Sequence, residues 1–170
     1  QTVQQPMLPY ESILTDLGDR DAAPELLSVR RTLASWRFYD HFRVDRDAPV
    51  RSPQVGTRTH TLGHDGADLA SVWATIDEAG RVDDLNRAVD DAFAGSRVEI
   101  TADERRFRLV MHQPGLLRPL ETAELSDGTL RYLLLCAALL TPRPAPLVVL
   151  NEPESSLHPD LLPAVARLVH

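Results

Sequence analysis

Leu147-Val148-Val149-Leu150-Asn151-Glu152-Pro153-Glu154, continued by Ser155-Ser156-Leu157-His158-Pro159, is the stretch on which the reading of this chain turns. Four apolar residues, two of them valine, give way at once to an amide and two carboxylates. So short an apolar run, with no alternation, predicts a central strand of a parallel sheet, buried on both faces. Such a strand delivers the residues that follow it to its C-terminal end, where open α/β sheets place their ligands. Glu152 is then a candidate for chemistry, although an exposed turn carboxylate would look the same on its own. Pro159 suits the first position of a helix. Pro163, one turn later, removes a backbone donor and predicts a kink. Val165, Leu168 and Val169 keep the helical period going.

Upstream, Pro142, Pro144 and Pro146 make a stiff connection. Before it, Leu130 to Leu140 is apolar on nearly every face, which predicts a buried helix. Leu125-Ser126-Asp127-Gly128-Thr129-Leu130-Arg131 opens that helix. Ser126 is a helix-capping residue type, and Asp127 is a first-turn acid that suits the helix dipole. The same features make a phosphate contact. A helix N-terminus has unpaired N–H groups at its positive end, Ser126 adds a hydroxyl, and Gly128 lets the backbone come close. Arg131, one turn along, can pair with a phosphate or a carboxylate. From this motif alone, the capping and the binding readings both stand.

The two motifs, in this order and about twenty residues apart, resemble the C-terminal half of an ABC-type ATPase head. More closely, the run Glu152-Pro153-Glu154 to Leu157-His158-Pro159 is similar to bacterial predicted ATPases related to RecF, SMC and OLD proteins. The tight resemblance covers Leu125 to roughly Leu162; a weaker one reaches back to Leu33–Phe42, with Ser35-Trp36-Arg37-Phe38-Tyr39. The resemblance implies that Ser126, Gly128 and Arg131 belong to a signature motif contacting the γ-phosphate held by a partner head. Asp127 would repel phosphate and is expected to point aside. Glu152 would be the general base of the Walker B segment, and Ser155 to His158 the D-loop. Asn151 stands where most such heads carry the Asp that holds Mg²⁺ through water; an amide can accept from that water but brings no charge.

The expected fold is therefore α/β, a partial P-loop NTPase of the ABC-type head. Residues 1–119 form its helical and β-hairpin part, and residues 120–170 its signature and Walker B segment. The cofactors implied are ATP and Mg²⁺, and the partner implied is a second copy, with ATP sandwiched between heads. A DNA-directed task in repair or defence follows by analogy only. All 18 basic residues are Arg, so no P-loop lysine is present. The P-loop and glutamine loop are expected before Gln1 and the switch histidine after His170. A catalytically weak dimerisation switch, through Asn151, is the second reading. A non-enzymatic interaction domain is the third.

The rest of the chain sets limits. Its 25 acidic residues outweigh the 18 basic ones, a net charge of −7, which argues against wholesale coating of nucleic acid. With 43% hydrophobic residues a folded core is expected. The longest apolar run, Leu133 to Leu140, falls far short of the roughly 20 residues that span a bilayer. One cysteine, Cys136, allows no internal disulfide and reads as a packed core thiol in a reducing, cytoplasmic compartment.

Leu26, Val29, Leu33, Trp36 and Tyr39 predict a helix over Glu25–Phe42. Its aromatic residues anchor it to a core, with base stacking as the alternative. Val50–Gly66 reads as a loop, and His60 and His64 as loop histidines, despite their i, i+4 spacing. Ala67–Ala79 and Asp83–Phe93 predict helices ended by Gly80 and Gly95. Val98–Met111 predicts a hairpin. Arg105, Arg106 and Arg108 lie along it, either as a solvated edge or as a partner contact.

Overall fold

The computed structural model describes residues 24–103 and 105–169. Helix α1 spans Pro24–Ser35 and strand β1 Arg37–Tyr39. A short strand β2, Gln54–Val55, precedes helices α2 (Leu69–Glu78) and α3 (Val82–Ala92). Strands β3 (Arg97–Asp103), β4 (Arg106–His112) and β5 (Leu120–Glu121) lead to helix α4 (Asp127–Leu139). Strand β6 (Val148–Leu150) and helix α5 (Leu162–Val169) complete the described chain. Two compact units are present. Among the described residues, one holds 24–37 with 145–148, and the other 38–144 with 149–169.

The expected hairpin is formed by β3 and β4, antiparallel, with Val98 opposite Met111 and Ile100 opposite Leu109. β2 and β5 add to β4, each antiparallel. Both expected helices before the hairpin form within two residues of their predicted ends, and Gly80 and Gly95 follow them with φ of 75° and 74°. Left-handed backbone at these positions favours glycine because it has no Cβ to clash.

α4 is the core of the larger unit. Ten consecutive residues, Thr129 to Ala138, are buried, as the all-round apolar pattern requires. Each of Leu130, Leu133, Leu134 and Leu135 gains about 1.5–3 kcal/mol from that burial. Two aromatic side chains of this core place their polar atoms on helix carbonyls. Trp73 Nε1 of α2 donates to the Leu133 carbonyl at 3.3 Å, and Tyr132 Oη donates to the Ala88 carbonyl of α3 at 2.7 Å. Gly66 comes so near that a Cβ there would lie 2.5 Å from Leu134 Cδ2, and its φ of 69° disfavours a side chain as well. Cys136 is fully buried, and burial pushes its thiol up to about 12.

Three expectations are corrected. The helix over Glu25–Phe42 stops at Ser35, and Arg37–Tyr39 is a strand. Its aromatic residues suit a pleated surface, and Tyr39 is buried with its hydroxyl on the Leu62 carbonyl at 2.8 Å. The apolar run of β6 is not a fully buried central strand. Its only ladder neighbour among the described residues is β1, and Leu147 and Val149 remain 38% and 36% exposed. The pair is parallel: Arg37 N donates to the Leu147 carbonyl at one end, and Asn151 N to the Tyr39 carbonyl at the other. The helix expected from Pro159 is divided into a 3₁₀ turn at Pro159–Leu161 and α5, so Pro163 sits in the first turn of α5, where its missing N–H has no helical partner to lose. Among the described residues no helix is long and apolar enough to cross a membrane.

Two consequences are measurable. Cys136 should resist alkylation at neutral pH in the folded protein and react at the rate of an ordinary thiol in denaturant; rapid labelling of the native form would contradict its burial. Glu124, just before α4, is held down to about 2 from 4.5, first by Arg118 and then by the Glu121 amide. A carboxylate lowered in the folded state stabilises fully above its unfolded value and stops doing so as pH falls through the folded one. Wild type should therefore lose stability relative to Glu124→Gln between about pH 4.5 and about pH 2, measured by denaturant unfolding across that range.

Candidate functional site

The N-terminus of α4 is built as a capped, exposed edge. Ser126 Oγ accepts from the Thr129 amide at 3.0 Å and lies 2.8 Å from the Thr129 hydroxyl. Ser126 and Asp127 are exposed, and Gly128 is half-buried. The Asp127 carboxylate turns aside onto Arg51, 2.6 Å from Nη2. Arg51 itself is largely buried and organises the approach to the helix. It donates to the carbonyls of Leu125 at 2.8 Å, Thr122 at 3.0 Å and Val44 at 2.8 Å. Just upstream, Glu124 receives both terminal nitrogens of Arg118, at 2.8 and 2.7 Å, and the Glu121 amide at 3.1 Å. The first turn of α4 is thus fixed before any ligand arrives.

The turn after β6 is the second part. Glu152 follows Asn151 with a φ of 46°, and Ser156 has a φ of 62°. Neither is glycine, and a non-glycine residue held there costs of order 1–3 kcal/mol. Two turn bonds hold the loop: Ser155 N to the Glu152 carbonyl at 2.9 Å, and Leu157 N to the Glu154 carbonyl at 3.1 Å. The side chains of Asn151 and Glu152 are exposed, and among the described residues neither is engaged in an ion pair or hydrogen bond. His158 instead caps the next turn, its Nδ1 accepting from the Asp160 amide at 3.3 Å.

Tertiary structure brings the two parts together. A Cβ on Gly128 would lie 3.3 Å from the Ser156 carbonyl, so α4 and the turn meet backbone to backbone. Arg131 Nη1 donates to the Ser155 carbonyl at 2.7 Å. Tyr39, His41, Arg131, Asn151 and Glu152 share a cleft of about 10 Å³, room for one water. Ser126, Gly128, Asn151, Glu152 and Ser155 therefore fall within one neighbourhood. Arg131, expected to face a phosphate, is buried beneath it.

The family described as "AAA domain, putative AbiEii toxin, Type IV TA system" matches residues 5–169. The chain belongs to this AAA-domain family. The membership carries a P-loop NTPase-type fold and a nucleotide-binding, ATPase-like function in general terms; the narrower likeness to RecF, SMC and OLD proteins does not follow from it. No curated protein and no solved structure matches the chain.

The residues present fit part of what an AAA domain's nucleotide requires. Asn151 and Glu152 offer uncommitted oxygens suited to a hydrated cation and to water, and the first turn of α4 offers amides suited to an anion. A lysine for the phosphates is not supplied, since the chain has none. Among the described residues no three His, Cys, Asp or Glu converge as a metal cluster. His64 is occupied with the Phe38 carbonyl at 2.9 Å, and His60 lends its own carbonyl to Thr141. Arg108 lies between Asp103 and Glu121, at 3.5 and 3.8 Å.

Arg51 and His41 were not singled out by the sequence. Both lie far upstream of the residues they serve; Arg51 sits in a stretch that reads as a loop, and His41 follows the Ser35–Tyr39 run of the weaker resemblance without being part of it.

The left-handed Glu152 yields a test. Glu152→Gly removes the Cβ clash, so folding stability should hold or rise by up to about 1 kcal/mol despite the flexibility that glycine adds to the unfolded chain. A loss of more than about 1 kcal/mol in denaturant titration would show that this side chain supports the fold instead.

Proposed function

We propose that this AAA domain is the ATP-binding and ATP-hydrolysing head of an ABC-type ATPase, working as a dimer with nucleotide between two heads. The observation that carries the reading is the exposed, uncommitted Glu152 carboxylate on a strained turn packed against the N-terminus of α4. A catalytic base needs a carboxylate whose lone pairs are not already spent, held where water can reach it. A structural turn has no need of either.

In this reading Glu152 orients a water and takes its proton as that water's oxygen attacks the terminal phosphorus and the bond to the ADP oxygen breaks. Phosphoryl transfer depends on positioning and charge stabilisation more than on covalent chemistry, so a single carboxylate on a rigid turn is an adequate contribution. Asn151 would hold Mg²⁺ through a bound water, and that cation supplies neutralisation of phosphate charge. Ser126 and the Gly128 amide would face the phosphate of the partner's nucleotide. Asp127, already paired with Arg51, keeps its charge off that phosphate. The loop from Ser155 to His158 is the D-loop of the same reading.

In the complete protein, Glu152→Gln should lower ATP turnover by about 10²- to 10⁴-fold while ATP-dependent dimerisation, followed by light scattering, persists. Turnover at the wild-type rate in that variant would overturn the assignment.

The amide at Asn151 favours a second reading, a head that binds ATP and dimerises with little turnover. Asn151→Asp restores a charge at the metal position and should raise both Mg²⁺ affinity and turnover in the complete protein. Wild-type turnover that Asn151→Asp leaves unchanged or lowers would remove the ground for this reading.

A further inference from the structure

We infer that Arg131 is a positioning residue, which holds the turn carrying Glu152 by fixing the Ser155 carbonyl and is itself held by His41. The inference rests on Glu152 being the base proposed above.

Arg131 is only 6% exposed. Its Nη1 donates to the Ser155 carbonyl at 2.7 Å, and its Nη2 to His41 Nδ1 at 3.2 Å and, more weakly, to the Phe42 carbonyl at 3.5 Å. Its Nε is buried with no hydrogen-bond partner among the described residues. No carboxylate pairs with it there either. A buried charge without a counter-ion is costly, and an apolar side chain at the same place on a core helix would avoid that cost. A residue kept at such expense must do something an apolar one cannot.

What it does is visible in the loop. The Ser155 residue is held from both sides, its N–H by the Glu152 carbonyl at 2.9 Å and its own carbonyl by Arg131. Glu152 and Ser156, on either side, both have left-handed backbone, a conformation that persists only where its surroundings over-determine it. Arg131 also lies on α4 one turn beyond Gly128, which touches the Ser156 carbonyl side of the same loop. The guanidinium therefore ties the base to the helix end proposed to face phosphate. The contact needs His41 Nδ1 as an acceptor, since the guanidinium has donors only.

The test uses the complete protein with two readouts. The first is hydrogen exchange at the Ser155 and Leu157 amides without nucleotide. The second is the split between kcat and KM for ATP. Arg131→Met should speed loop exchange by about tenfold or more, with the middle of α4 unchanged. It should lower kcat by about 10- to 100-fold at constant KM, because a misplaced base costs rate rather than binding. Arg131→Lys should recover part of both effects through a single donor. His41→Ala should shift both in the same direction by less, and His41→Gln, whose amide oxygen can accept, should restore them.

Wild-type exchange in the Arg131→Met loop would overturn the inference. So would a raised KM at constant kcat, which belongs to a direct phosphate contact. If Arg131→Met does not fold, the exposed His41 decides: His41→Ala indistinguishable from wild type in exchange overturns the inference equally. Absence of ATP turnover in the wild-type protein would sink the base reading, while exchange alone would still support or refute the hold of Arg131 on the loop.

Discussion

Everything in the larger unit is arranged by the burial of one helix on all its sides. α4 has ten successive buried residues, so no face of it can be left to water, and neighbouring elements must supply cover all round. α2, α3 and α5 supply part of it. Trp73 and Tyr132 show how tightly the cover fits, since each spends its polar atom on a neighbouring helix carbonyl in the same interior. The fully buried Cys136 and the glycine forced at position 66 by Leu134 are products of the same demand. A helix so enclosed has one part free to meet a ligand, its first turn.

That first turn is held rigid by arginine rather than by apolar packing. Arg51 gathers carbonyls from two stretches of chain and neutralises Asp127, and Arg118 with Glu124 fixes the approach. The turn after β6 depends on Arg131 in the same way. In a chain whose only cations are guanidinium groups, planar multi-donor side chains can bridge several carbonyls that a lysine would meet one at a time. The strain at Glu152 and Ser156 is local and is borne by this framework, which is the pattern expected where a loop serves a site rather than the fold.

Much of the fold was legible in the residues. α2, α3, α4 and the β3–β4 hairpin follow from period and from glycine and capping signals. Ser126, Gly128, Asn151, Glu152 and Ser155 were legible as two separate motifs. Legibility ended where period and context disagree. Leu33, Trp36 and Tyr39 repeat at helical spacing, yet Arg37–Tyr39 is a strand, because pairing with β6 outweighs an amphipathic pattern whose helix buries nothing of its own. The run Leu147–Leu150 reads as buried on both faces, yet is part-exposed, because an apolar run records a need for cover and not whether the described neighbours provide it.

By itself the sequence determined the helix that must be buried, the cap that opens it, the carboxylate at the end of a short strand, and the lack of any lysine. These are local properties: each depends on residues within a few positions of one another. Only the tertiary structure decided that the two motifs share one neighbourhood, that Asp127 faces Arg51, and that Arg131 turns inward to the Ser155 carbonyl rather than outward. Each of these joins residues 24 to 76 positions apart, and which of a guanidinium's possible acceptors it takes is set by the packing that buries it.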